Sequence, residues 1–164
     1  MEASLYYRLM KSGEESAVCA LVTHVFNEFV APDYSDEGAE EFLKYVEPNL
    51  LLERSQEDHF VLVALLLEEI VGMIEVRDYG HISLLFVDKR FQRIGIGKEL
   101  LRKSLEICFS HKPGLSQVSV NSSPYAVEVY RKLGFRQQGP RQIVMGICFD
   151  PMVLDLSGPQ SAMG

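Results

Sequence analysis

The chain has 164 residues, 47 % hydrophobic and 24 % charged, with a formal net charge of −7. That length favours one domain with a core of its own, built without disulfide or structural metal, and the acidic balance argues against nucleic acid as a partner. The three cysteines, Cys19, Cys108 and Cys148, form no Cys-x-x-Cys pair and no metal-like spacing, so they read as free thiols and no metal site is expected.

Leu5–Met10 alternates loosely and reads as a first strand. Over Glu14–Phe29 the residues Val18, Leu21, Val22, Val25, Phe26 and Phe29 share one face at spacings of three and four, which predicts an amphipathic helix. Pro32 breaks it. Ser35 is placed to cap a second helix ending near Val46, with Asp36 and Glu37 in the first turn, where the helix dipole favours acids. Pro48–Arg54 reads as one more short helical turn. Three strands follow, His59–Leu67, Ile70–Arg77 and His81–Val87, expected as an antiparallel meander. They are joined at Glu68–Glu69, which lacks the residues of a favoured two-residue hairpin, and at Asp78-Tyr79-Gly80, where the glycine is expected to tolerate positive φ.

A helix over Gly97–Phe109 and a strand over Gln117–Val120 come next. Ser123 reads as an N-cap, Pro124 as the first helical residue and Gly134 as the residue past the C-terminus. Phe135–Gln138 and Ile143–Leu156 are read as the last two strands, and Gly146–Met152 as a candidate homodimer contact. The domain is placed at 1–156, with 157–164 a small, polar tail. The strand–helix–strand unit in the middle implies a locally parallel pair inside a mixed α/β sheet. Met1–Met10 lacks the long apolar run of a secretory signal, and Phe60–Leu67 is far shorter than the ~20 residues that span a bilayer. A cytoplasmic protein without membrane attachment is expected.

The most informative segment runs from Val87 to Lys98, after a strand and into a helix. Glycines there let the backbone turn sharply and approach a ligand. The first N–H groups of the helix lack internal partners and, with the dipole, suit a phosphate. Arg93 and Lys98 add positive charge. The P-loop pattern fails, because Gln92 and Glu99 stand where it needs glycine and a hydroxyl residue, and the dinucleotide pattern fails at Leu100.

What remains is Gln-x-x-Gly-x-Gly at Gln92, Gly95 and Gly97. With Leu85-Phe86-Val87-Asp88 before it, Asn121–Ala126 and Tyr130-Arg131-Lys132-Leu133-Gly134-Phe135 after it, and the element order from Leu5 to Leu156, the chain resembles the GNAT acetyltransferase superfamily. The resemblance implies a mixed sheet whose two central parallel strands splay to admit the pantetheine arm of acetyl-CoA. The arm would bond to the backbone of Leu85, Phe86 and Val87, and its pyrophosphate would sit on the N–H groups of Arg93, Ile94, Gly95, Ile96, Gly97 and Lys98. These are main-chain contacts, so Gly95→Val is expected to block binding while the fold is kept. Tyr130 matches the tyrosine that protonates the departing thiolate, where negative charge develops on sulfur. Many members carry a cofactor-contacting asparagine seven residues before that tyrosine. Here Ser123 holds the position and Asn121 lies two residues earlier, so either is a candidate.

The resemblance implies a small-molecule or peptide primary amine as acceptor, with small amines, amino acids, aminoglycosides, polyamines and protein N-termini all open, and such an amine must lose a proton before attack. Glu75 and His81 are the candidate bases; their plainer readings are a solvent-facing strand residue and a turn-edge residue. A backbone N–H near Val87 is the candidate oxyanion donor. Two functions follow: N-acetyl transfer by direct attack in a ternary complex, or a non-catalytic domain that senses acyl-CoA.

Overall fold

The longest apolar run of the sequence becomes strand β2, His59–Leu66, in a computed structural model that describes residues 4–156. Its side chains alternate between two cores: Leu62 and Ala64 enter one, Val61, Val63 and Leu65 the other. A strand buried on both faces reads as a continuous apolar run rather than an alternation. Around it lie β1 (Leu5–Leu9), β3 (Glu69–Arg77), β4 (His81–Val87), β5 (Gln117–Ser122), β6 (Arg136–Gln137), β7 (Gln142–Val144) and β8 (Ile147–Asp155). The sheet order is β1-β2-β3-β4-β5-β8-β6, with β7 on β8, and the expected β2–β3–β4 meander is antiparallel. The tail expected at 157–164 lies outside the described residues.

One face is covered by α4 (Ile96–His111) and α5 (Val127–Lys132), the other by α1 (Glu15–Val25), α2 (Asp36–Tyr45) and α3 (Pro48–Ser55). Gly72 lets α4 approach the sheet: a Cβ there would stand 3.0 Å from Ile96 Cγ2 and 3.3 Å from Leu100 Cδ1. The first expected helix splits into α1, a π turn at Phe26–Val30 and a 3₁₀ turn at Ala31–Asp33 that contains Pro32. Ser35 caps α2 as expected, its Oγ accepting the Gly38 N–H at 3.0 Å. The short turn expected at Pro48–Arg54 is a full helix, because Glu47 Oε2 accepts the Leu50 N–H at 3.2 Å at its start.

The turns depart most from expectation. Leu67 and Glu68 form the β2–β3 hairpin with φ of 52° and 68°. At the next turn Asp78 and Tyr79, not Gly80, take positive φ (50° and 55°), and Gly80 N–H donates to Arg77 O at 3.0 Å. Packing holds this conformation: Lys112 Nζ donates to Asp78 O at 2.6 Å, and the Tyr79 ring stacks on His111 with centroids 4.1 Å apart. The single last strand expected over Ile143–Leu156 is instead two, β7 and β8, reversed at Met145–Gly146 with φ of 51° and 80°. β8 is paired along one edge with β5 over Asp150–Asp155 and along the other with β7 over Ile147–Phe149 and β6 over Met152–Val153, so within Gly146–Met152 the residues Ile147–Phe149 carry no ladder on the β5 side among the described residues.

Candidate functional site

The parallel ladder between β4 and β5 consists of two pairs, His81↔Ser119 and Ile82↔Val120, after which the strands part. The cause lies in β4. On β3, Glu75 and Val76 are consecutive, yet their partners are Leu84 and Ile82, so Ser83 is a surplus residue. Such a bulge bends its strand and ends pairing on the far side. Asp88 N–H donates to Val71 O at 2.8 Å. By the two-residue alternation of an antiparallel ladder, Phe86 therefore spends its backbone groups on β3, while Leu85 and Val87 turn theirs to the gap. The Val87 carbonyl is taken by the Gln92 side-chain amide at 2.9 Å. Gln92 thus folds the loop onto the end of β4, a role its place in the motif did not reveal.

Beyond β4 a 3₁₀ turn at Lys89–Phe91 is capped by Asp88, whose Oδ1 accepts the Arg90 N–H at 2.9 Å. Arg93 and Gly95 then adopt φ of 68° and 93° and lead into α4. The first bond of this turn is Glu99 N–H to Gly95 O at 3.0 Å. None of the six amides from Arg93 to Lys98 donates to an acceptor among the described residues, and Gly95 supplies no side-chain cap. Arg93 and Lys98 are exposed and form no ion pair among the described residues, whereas Lys89 and Arg90 are paired with Glu28 and Glu69. A row of free N–H groups at the positive end of a 16-residue helix, flanked by two free cations, is suited to an anion. The space around Gly95 is open, with nothing within 4 Å of a Cβ built there. The constraint the protein itself sets there is the positive φ, which strains any residue other than glycine.

Tyr130 is 5 % exposed and belongs to the core on the α4–α5 side of the sheet. Its ring meets Phe135 edge-on at 5.2 Å. The hydroxyl has no hydrogen-bond partner among the described residues and is not sealed from solvent. Burial pushes its pKa above the usual phenol value, so it stays a proton donor at neutral pH. Ser123 is occupied as a cap, accepting the Ala126 N–H at 3.3 Å. Asn121 has no side-chain bond among the described residues. It shares a face of β5 with Ser119, opposite Val118 and Val120, and so looks to the α2 side. There it lines a 370 Å³ cleft with Glu41, Val144, Met145, Ile147 and Phe149.

The two candidate bases sit differently. Glu75 is 0 % exposed rather than solvent-facing. Arg54 holds both its oxygens, with Nε at 2.8 Å and Nη2 at 3.2 Å, and His59 Nε2 stands 3.8 Å away. The same guanidinium donates to Tyr45 O at 2.7 Å and stacks 3.6 Å from the Tyr45 ring centroid. Arg54 was not singled out from the sequence. The available signal was one arginine ending an apolar helix and one glutamate inside an apolar strand. His81 lies in the first pair of the ladder, one pair before the strands part, its Nδ1 2.8 Å from Ser119 Oγ. Desolvation, with Arg77 and His59 adding to it, lowers its pKa to about 4, so the ring is neutral at pH 7. Ser119 lies two residues before Asn121 on the same face of β5.

The α1–α2 connection crosses the mouth of the gap. Glu28 reaches Lys89 at 2.8 Å beyond β4, and Phe29 stacks on Tyr125 at 5.1 Å beyond β5. Burial raises the Cys19 and Cys108 thiols to about 11, in keeping with inert core cysteines. No group of three or more metal-ligating side chains occurs among the described residues, and no described helix is long and apolar enough to cross a membrane.

A family model for the acetyltransferase (GNAT) domain matches residues 30–156. The fold is shared with solved structures of low sequence identity. A GCN5-related N-acetyltransferase from Rhodopseudomonas palustris superposes with a TM-score of 0.81 at 20 % identity, covering 95 % of this chain and 99 % of that one. A PaiA N-acetyltransferase from Thermoplasma acidophilum, in complex with coenzyme A, gives 0.75 at 21 % identity over 93 % and 99 %. An aminoglycoside 6'-N-acetyltransferase complexed with coenzyme A gives 0.66 at 14 % identity over 93 % and 98 %.

Proposed function

We propose that this chain, which belongs to the GNAT acetyltransferase family, transfers an acetyl group from acetyl-CoA to a primary amine by direct attack in a ternary complex, in the cytoplasm. The observation that carries the cosubstrate is the unpaired amides of Arg93–Lys98 beside two free cations. They would hold the pyrophosphate, and the free backbone groups of Leu85 with the N–H of Val87, whose carbonyl is held by Gln92, would hold the pantetheine arm along the gap. When bound there, acetyl-CoA supplies the thioester carbonyl that the amine attacks.

The chain's own residues then divide the proton work. Tyr130, a protonated hydroxyl without a partner, donates to the departing sulfur. His81 would accept the amine proton through the Ser119 hydroxyl, which passes its own proton to Nδ1; the geometry supports this relay, while the desolvation that keeps the ring neutral also makes it a weak base. Glu75 has both oxygens engaged by Arg54 and is assigned to holding α3 on β3 rather than to proton transfer. Asn121 is free to orient either ligand, and Ser123 serves as the helix cap. The absence of an unengaged carboxylate on the strands at the gap is what favours the second reading, an acyl-CoA sensor without turnover.

Acetyl-CoA consumption with a panel of amines separates the two. Tyr130→Phe is expected to lower kcat about 10²-fold or more while coenzyme A affinity stays within about twofold. Unchanged turnover in that variant would remove Tyr130 from the mechanism, and no consumption with any amine would favour the sensor.

A further inference from the structure

The hairpin of β7 and β8 exposes three consecutive apolar residues, Ile143 (71 %), Val144 (52 %) and Met145 (62 %). It is nevertheless fixed in place. Gly146 and Gly38 meet so closely that a Cβ on Gly38 would stand 2.1 Å from Gly146 O, and one on Gly146 would stand 2.1 Å from Ser35 Oγ. Ser35 N–H also donates to Gly146 O at 3.3 Å. The tip is thereby pinned to the start of α2, and Val144 and Met145 become one wall of the cleft that Asn121 lines. One helical turn beyond Gly38, Glu41 enters the same cleft. Among the described residues it is the only charged side chain lining it, and its single ion pair, with the exposed Lys44, is 3.4 Å long. Exposed pairs of that kind contribute little, so the carboxylate is available to a ligand.

Resting on the transferase reading above, we infer that this cleft takes the acceptor, and that the acceptor is a monocationic primary amine on an apolar body. Glu41 anchors the ammonium group, and Val144, Met145, Ile147 and Phe149 cover the rest. The charge content decides the class. A polyamine brings more cations than one carboxylate can meet. A free amino acid brings a carboxylate, and no cation lines the cleft to receive it. An ammonium or carboxylate moved out of water without a partner is penalised strongly. The cleft's 370 Å³ lies at the small end of ligand pockets.

Calorimetric titration tests this without turnover, with and without saturating coenzyme A. Two matched pairs isolate charge: hexylamine against 1,6-diaminohexane, and leucinamide against leucine. Hexylamine and leucinamide are expected to bind about tenfold or more tighter than their counterparts, in line with the cost of an unpaired buried charge. Glu41→Gln is expected to weaken hexylamine about tenfold and Val144→Asn severalfold, both with unchanged coenzyme A affinity. Equal binding within either pair, or Glu41→Gln indistinguishable from the parent, overturns the assignment. Hexylamine that binds while coenzyme A does not would overturn the cosubstrate reading and leave the cleft assigned. Coenzyme A that binds without the amine preference would overturn the cleft alone.

Discussion

Replacing Gly97 by alanine adds one methyl group at the second residue of α4, where folding and binding should respond in opposite directions. The φ of Gly97 is not positive, and a Cβ there meets only Val87 Cγ2 at 3.9 Å, an ordinary contact. Gly→Ala at a compatible position stabilises by about 0.4–1 kcal/mol through the unfolded chain, which for a domain of this size raises Tm by roughly 1–4 °C. The same Cβ tilts toward the helix N-terminus, in front of the free amides. A surplus methyl in a close-fitting contact costs about 1–3 kcal/mol, or roughly 5- to 150-fold in affinity. Thermal melts and calorimetric titration with coenzyme A measure the two responses on one sample. Coenzyme A affinity within twofold of the parent, at an equal or higher Tm, would refute the assignment of these amides to the pyrophosphate. Gly95→Ala is the contrasting variant. Its φ of +93° makes alanine cost about 1–2 kcal/mol, so stability should fall there even though the space is open.

Arg54→Met strands the fully buried Glu75 carboxylate and should cost about 3–5 kcal/mol. Adding Glu75→Met should recover most of that in urea denaturation, and a double variant no better than the single would disprove the pairing account. Between the folded His81 pKa of about 4 and the ordinary 6.5, the unfolded chain binds more protons than the folded one. Stability should therefore rise with pH across that window and level off above it. Acidification from pH 6.5 to 4 should lower Tm less in His81→Gln than in the parent, and parallel curves would count against a desolvated imidazole. Gly38→Ala drives a Cβ into Gly146 O, with no flexible atom to give way. A loss of about 1–3 kcal/mol is expected, against no more than about 0.5 for Gly114→Ala, whose Cβ meets nothing within 4 Å.

Much of the fold was legible because its cores are periodic. Val18, Leu21, Val22 and Val25 mark α1, and the apolar run from Phe60 marks β2, whatever else the chain does. Caps were equally legible, since Ser35 and Ser123 act within their own turns. The glycine loop could be located because its chemistry is main-chain and local. What could not be read was set by contacts distant in sequence. Asp78 and Tyr79 take positive φ because Lys112 and His111 hold them there. The break between β7 and β8 is fixed by Gly38, more than a hundred residues earlier. The candidate base was hardest for the same reason. Glu75 and His81 looked alike in sequence, and only the pairing of one with Arg54 and the other with Ser119 separates them.

The surplus residue in β4 has a mechanical consequence. With only two cross-strand pairs joining β1–β4 to the rest of the sheet, the molecule has a seam at its centre, bridged mainly by helices and by the Phe29–Tyr125 and Glu28–Lys89 contacts. Backbone N–H groups along that seam without a strand partner should exchange their hydrogens as an edge would, although they lie mid-sheet. An extended ligand laid into it would act as the missing strand, so occupancy would stiffen both halves against each other.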